Sequence, residues 1–359
     1  MLEKAIHSTR VIVHSQNIRH NLRVLARETH QGVMKMAVVK ADGYGHGAVA
    51  VARIAGEMVD WFGVASVEEA VELRDARITK PVLVFGVPGS HNAALYERYN
   101  LTAVVSNPGQ LDILHTGTRY HLAFDTGMGR LGFLPAQAMD VLDAVKKADH
   151  LVFEGIMSHF ATADKPGSGK AARQLQSFKS LRAQFPDHLI THMANSGGIM
   201  HYRESHFDMV RHGISMYGYA PGATVMPELK PALTWEAGVV QCRIIRKGET
   251  VSYGANWSAP EDGYLLTIPV GYADGVPRLL SGKFSVTVNG IEMPQTGNVT
   301  MDYIMAYSKQ AVNIENSVAV LLSPSGQNAG TWAEITGTIP YEILCGIRQK
   351  VRRLVEDSD

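Results

Sequence analysis

The sequence predicts an α/β protein, an N-terminal (β/α)8 TIM-type barrel followed by a C-terminal mainly β domain. Three observations carry this. Short apolar runs recur eight times, at 36–40, 61–65, 81–86, 102–106, 120–125, 153–159, 192–195 and 209–214. Helical stretches separate most of them, most clearly at 66–75, 107–114, 135–147 and 171–184. Alternating β and α segments argue for a parallel sheet, and eight of them for a closed barrel. No GxGxxG follows the first run, as an open dinucleotide-binding sheet would show. From about Pro227 the rhythm changes to β segments without helices between them, at 232–247, 264–270, 284–288, 304–307 and 317–322. Asn289-Gly290 is a hairpin signal between 284–288 and 291–293. Helices are expected again only at 331–336 and 341–355. Pro221, Pro227 and Pro231 mark the crossing, so the expected domains are 1–228 and 229–359. The first strand, about 9–14, belongs either to the barrel domain or to the β domain.

Bulk properties narrow the class of function. A chain of 359 residues suits two domains. Its 34 basic and 34 acidic residues cancel, without the charge runs expected of a nucleic-acid or membrane surface. Cys242 and Cys345 provide neither a disulfide framework nor a CxxC pair. The 15 histidines fall in no HExxH-type spacing, so no metal is expected. Nothing approaches 18 consecutive apolar residues, and Met1 to His7 has no long apolar core, so residence in the cytoplasm is expected.

In chain order, Thr9 to His14 alternates weakly as a strand, and Ser15 caps a helix with Ile18, Leu22 and Leu25 at helical spacing. The next run ends on Lys40, followed by Gly43, Gly45 and Gly47 in a pliable loop and a helix from Ala48 to Ala55. By itself Lys40 reads as a surface lysine at a loop edge or as an amine that condenses with a carbonyl cofactor. Barrel active sites lie at the C-terminal ends of the strands. Polar residues fall there repeatedly: Lys40, Asp125 to Arg130, His159, Asn195-Ser196 and, within the eighth run, Arg211. Five corresponding positions suggest one shared pocket.

The stretch Val39-Lys40-Ala41-Asp42-Gly43-Tyr44-Gly45-His46-Gly47 resembles the pyridoxal-phosphate attachment motif of the alanine racemase family. Further matches follow in order: Asp125-Thr126-Gly127-Met128-Gly129-Arg130-Leu131-Gly132, Ser158-His159-Phe160-Ala161-Thr162-Ala163-Asp164, Ala194-Asn195-Ser196 and Arg211-His212-Gly213-Ile214. The second domain adds Val251-Ser252-Tyr253-Gly254-Ala255, Gly271-Tyr272-Ala273-Asp274-Gly275, Met301-Asp302 and Tyr341-Glu342. The resemblance thus spans both domains, and the family's barrel-plus-β fold agrees with the periodicity.

The resemblance implies a homodimer with shared active sites that interconverts L- and D-alanine, for peptidoglycan or for D-alanine catabolism. Lys40 would carry pyridoxal phosphate and act as the base on the D-face. Tyr253 of the partner subunit would act on the L-face, because a single base would return the proton to the face it left. Arg211 would face the pyridine nitrogen; a guanidinium only donates and should keep that nitrogen unprotonated. His159 would buttress it. Tyr44, Asn195, Ser196, Gly213, Ile214 and Tyr341 match cofactor-binding positions. Arg130 matches a residue shared by cofactor and substrate. Met301, again from the partner subunit, matches a backbone N–H donor to the substrate carboxylate, and Tyr272, with Tyr341, a wall of the entrance.

Two departures stand out. Many members carry a carbamylated lysine seven residues before the motif arginine, and this chain has Ala123 there. A small anion such as chloride, or another carboxylate, is expected beside Arg130 instead. Asn298 stands where many members have an entrance arginine, which bears on substrate selectivity. The alternatives are a racemase of broader range that accepts serine and a non-catalytic protein of pyridoxal-phosphate homeostasis. The second domain, with Tyr253, argues against the latter.

Overall fold

The computed structural model describes residues 9–167, 169–222, 224 and 226–357. The chain forms two compact units. Among the described residues, one comprises those within Ile18–Gly43 and Ala48–Lys230; the other comprises 9–17, Tyr44–Gly47 and 231–357.

Strand β1 (Arg10–His14) belongs to the second unit. The first unit is built on eight parallel strands: β2 (Met34–Val38), β3 (Trp61–Val64), β4 (Val82–Val84), β5 (Thr102–Val105), β6 (Arg119–Ala123), β7 (Val152–Met157), β8 (Ile190–His192) and β9 (Met209–His212). Their order is β8-β7-β6-β5-β4-β3-β2-β9. The seam between β8 and β9 is held by single bonds. The Asp208 N–H donates to the Thr191 carbonyl at 3.0 Å, and the Arg211 N–H to the Ala194 carbonyl at 3.0 Å. The Asp208 carboxylate accepts the Thr191 N–H at 2.8 Å. The barrel predicted from the alternation is therefore present and nearly closed.

Its strands stop short of the apolar runs at their C-terminal ends. Lys40, Asp125, His159 and Asn195 all lie beyond the last laddered residue. Those positions lie past the ladder, at the C-terminal rim of the barrel. The interior departs from the branched apolar filling usual in such barrels. Met36 pairs with Arg211 on one side and with Trp61 on the other, and His121, His192 and Arg211 are all buried.

The segment after β2 is not the loose glycine loop of the sequence reading. Ala41, Asp42, Gly43 and Tyr44 have φ of 53°, 53°, 60° and 52°, a full left-handed turn. Such a turn costs roughly 1–2 kcal/mol for each non-glycine residue and needs external support. Within the barrel unit, the Glu69 carboxylate accepts the Ala41 N–H at 2.7 Å and the Ala65 N–H at 2.6 Å. The Asp42 carboxylate accepts the Ala48 N–H at 3.0 Å.

The second unit contains β10 (Leu233–Gly238), β11 (Gln241–Ile245), β12 (Thr250–Val251), β13 (Trp257–Ser258), β14 (Gly263–Ile268), β15 (Ser285–Val288), β16 (Ile291–Thr296), β17 (Ile304–Ser308), β18 (Val318–Leu322) and β19 (Arg352–Glu356). Nine strands form one sheet in the order β11-β14-β17-β16-β15-β18-β10-β1-β19. The Asn289-Gly290 hairpin is present, with Val288 opposite Ile291. β1 pairs antiparallel with β10 and parallel with β19. The core gathers Trp235 and Phe284 around Trp332, with ring centroids 5.8 and 5.3 Å away.

The helix expected over 341–355 is corrected. Only Pro340–Gly346 is helical, and Arg352–Glu356 is strand β19. Pro340 opens the helix and Gly346 ends it. The Arg353 guanidinium then binds the carbonyls of Gly45, Ile347, Arg348 and Val351. The strand gives the outer edge of β1 a partner, and tertiary pairing overrides the local helical pattern.

Candidate active site

In the barrel unit the predicted residues sit at the C-terminal rim. Lys40 follows β2 by two residues, and its Nζ lies 6.0 Å from the centre of the Phe85 ring, at the limit of a cation–π contact. Arg211, on β9, is only 2 % exposed. Its Nη2 donates to the carbonyls of Ser158 at 3.0 Å and Met193 at 2.9 Å, and to His159 Nδ1 at 2.9 Å. Its Nη1 donates to His192 Nδ1 at 2.8 Å. All four acceptors are neutral. Burial, with Arg130 nearby, pulls the Arg211 guanidinium down to about 9, so it remains cationic at neutral pH. Burial, then Arg211, Arg130 and Lys40, push the His159 imidazole well below its ordinary value. Because Arg211 only donates, the His159 and His192 nitrogens that face it are the unprotonated ones.

Asn195 caps the helix Ser196–His201 by accepting the Gly198 N–H at 3.0 Å, and its Nδ2 lies 3.5 Å from His159 Nε2. The buried Ser196 Oγ accepts the Gly213 N–H at 3.3 Å. Ile214 opens the short 3-10 turn Ile214–Tyr217, where the first N–H groups lack partners inside the turn. Arg130 is exposed at the end of a loop organised by Asp125. That carboxylate accepts the N–H groups of Gly127 at 2.8 Å, Gly129 at 2.8 Å and Arg130 at 3.1 Å. Among the described residues no carboxylate forms a salt bridge to Arg130, and Ala123 is buried at the end of β6.

The second unit carries the remaining predicted residues. Tyr44 and Tyr341 face each other with ring centroids 5.9 Å apart. Tyr253, Tyr272 and Met301 converge on the loop that follows β16. The Tyr272 N–H donates to the Thr300 carbonyl, and the Ala273 N–H to the Met301 carbonyl, both at 3.0 Å. Asn298 Nδ2 donates to the Tyr253 carbonyl at 2.7 Å, while Ser252 Oγ donates to the Asn298 carbonyl at 2.9 Å. The Tyr253 side chain is 75 % exposed.

Sequence reasoning missed three groups. Glu69 braces the turn after Lys40, and nothing in a helical glutamate announces that. His121 and His192 lie behind Arg211 in the barrel. Their only sequence signal is strand alternation, which points His121 to the same side as Ala123 two residues on.

A profile described as "Alanine racemase, N-terminal domain" matches residues 13–221, and one described as "Alanine racemase, C-terminal domain" matches residues 232–355. The alanine racemase of Symbiobacterium thermophilum is 40% identical over 354 residues, covering 94% of this chain and 94% of that protein. The crystal structure of alanine racemase from E. faecalis superposes with a TM-score of 0.91 at 32% identity, covering 98% of each chain. That of Bacillus anthracis alanine racemase with bound L-Ala-P also gives 0.91 at 32% identity, covering 98% of this chain and 95% of that one. With both domains matched in order over nearly the whole length, the chain belongs to the alanine racemase family and is an isomerase of the racemase type.

Proposed function

We propose that the chain interconverts L-alanine and D-alanine on pyridoxal phosphate, as a homodimer, by a two-base mechanism. The observation that best supports this reading is Arg211: a buried cation whose Nη groups are spent on neutral acceptors. Among the described residues nothing accepts its Nε–H. That fits a pyridine nitrogen, which accepts one hydrogen bond. Ser196, Gly213 and Ile214 supply a hydroxyl and backbone N–H groups suited to a phosphate, with Asn195 at the same helix start.

When bound, pyridoxal phosphate supplies the conjugated ring that takes up the electron pair left by the departing α-proton. Lys40 Nζ removes or returns that proton on the D-face. Tyr253 Oη of the partner subunit does so on the L-face. Arg211 would hold the ring nitrogen as a donor that does not surrender its proton, which would disfavour protonation of that nitrogen. His159 holds Arg211 in position. Arg130 serves the cofactor's phenolic oxygen and the substrate side, and the backbone N–H of Met301 of the partner subunit holds the substrate carboxylate. Tyr272 and Tyr341 narrow the entrance toward a methyl side chain, and Tyr44 joins the phosphate donors. A small anion beside Arg130 takes the place that Ala123 leaves uncharged.

The test is racemisation of L-alanine and L-serine, side by side, by the purified protein with its visible spectrum recorded. Fast alanine turnover with a bound-cofactor band supports the reading; equal turnover of serine favours the broader racemase. A band without turnover favours cofactor storage. Tyr253→Phe should abolish turnover from the L-side with the band retained.

A further inference from the structure

Arg211 presents an electrostatic problem. It is a buried cation, yet among the described residues no carboxylate contacts it. An unpaired buried charge is expensive. Its bond to His192 leads to one. His192 Nδ1 accepts from Arg211, so this neutral imidazole carries its proton on Nε2. His192 Nε2 lies 2.8 Å from His121 Nδ1, which must therefore accept. His121 in turn carries its proton on Nε2, which lies 3.5 Å from Glu154 Oε2. That last contact is an ion-pair distance and not a hydrogen bond: His121 Nε2 has no hydrogen-bond partner among the described residues, and the Glu154 carboxylate is the acidic group it faces. Every proton position follows from one fact, that a guanidinium cannot accept.

We propose that His192 and His121 form a one-way hydrogen-bond relay that ends facing the Glu154 carboxylate, and that all three act as positioning residues for Arg211. The carboxylate orients His121, His121 orients His192, and the sharpened Nδ1 acceptor of His192 fixes the guanidinium. The surroundings support the relay. Both imidazoles are completely buried, and burial is the first cause holding each below its ordinary value, hence neutral. The Trp61 ring of β3 packs on His121 with centroids 5.6 Å apart. Gly155 on β7 makes the room: a Cβ there would stand 2.8 Å from His121 Cε1. The Glu154 carboxylate also accepts from Thr102 Oγ1 of β5 at 3.2 Å and lies 3.7 Å from Arg119 Nε of β6. The same arrangement behind a metal-bound histidine fixes tautomer and raises basicity; here the group it serves is an arginine.

The relay itself stands on geometry; its use in catalysis rests on the function proposed above. The first measurement is therefore made on apo-protein labelled with 15N-histidine. Both His192 and His121 are expected as neutral Nε2–H tautomers. Glu154→Gln should move the His192 Nε2–H resonance upfield. Arg119→Met, which leaves the Glu154 charge less shared, should move it downfield. A proton on Nδ1 of either ring, or a His192 resonance that ignores both variants, overturns the relay. Opposite signs from two changes on one side of the barrel are not produced by general loosening. If Glu154→Gln does not fold, Arg119→Met on the more open side still decides the matter. In the holoenzyme, Glu154→Gln should lower kcat/KM for alanine roughly tenfold. An unchanged kcat/KM with the expected NMR shifts overturns the catalytic use alone. A wild-type protein that does not racemise overturns the proposed function while the NMR still reports on the relay.

Discussion

Glu69 holds the backbone of Ala41, accepting its N–H at 2.7 Å one residue after Lys40. The other carboxylate oxygen accepts the Ala65 N–H at 2.6 Å, so one side chain ties the loops after β2 and β3 together. Both contacts require an acceptor. Glu69→Gln presents an amide N–H to one of the two donors and loses that bond. The expected cost is about 1–2 kcal/mol in urea unfolding. Activity should fall further than stability implies, because a left-handed turn without its brace no longer presents Lys40 in one place. A kcat within twofold of wild type would show that the turn holds itself.

The turn also explains where the sequence could be read and where it could not. Eight β runs, the change of rhythm near Pro227 and the Asn289-Gly290 hairpin follow from periodicity and turn chemistry, and all are present. Arg352–Glu356 was not legible as a strand, because its partner β1 lies more than 300 residues away and pairing decided its state. Lys40 stands out past the end of its apolar run, and Arg211 as a charged residue within the eighth run. The brace on Ala41 and the histidines behind Arg211 do not, since each depends on which side chains the barrel brings together across strands.

Gly45 is fixed by its neighbours as well as by its backbone. Its φ is +77°, and a Cβ would stand 2.2 Å from the Leu344 carbonyl oxygen. Gly117 has a similar φ of +80° with nothing within 4 Å. Gly117→Ala should therefore cost only the backbone term, about 1 kcal/mol. Gly45→Ala should cost at least about twice that in urea unfolding, because backbone must shift at Leu344. Equal costs would mean that the contact relaxes freely.

Arg130 yields a prediction about salt. Its backbone is held by Asp125, but its guanidinium has no salt bridge among the described residues, and Ala123 offers no charge. If a small anion occupies that place, replacing chloride by a bulky organic anion at constant ionic strength should raise KM for alanine several-fold. Small halides should restore it in order of size. A KM that follows ionic strength alone would assign the effect to screening and remove the bound anion from the proposal.

His212 sets a pH dependence with a definite sign. It follows Arg211 on β9, is completely buried, and among the described residues neither ring nitrogen has a hydrogen-bond partner. Burial first, then the Lys35 cation, hold the imidazole down at about 3 against an ordinary 6.5. The folded protein keeps this ring neutral where the unfolded chain protonates it. Between pH 6.5 and 3 the unfolded state therefore binds the extra proton, and stability falls as pH falls through that window. The buried His121, His159 and His192 act in the same direction. His212→Leu removes both unpartnered nitrogens and one of these protons. Urea unfolding at pH 7 should show a gain of about 1–2 kcal/mol, and the slope of stability between pH 6 and 4.5 should become shallower. An unchanged slope would mean that the folded protein protonates His212 as readily as the unfolded chain does, and no gain at pH 7 would mean that its nitrogens are satisfied in the fold.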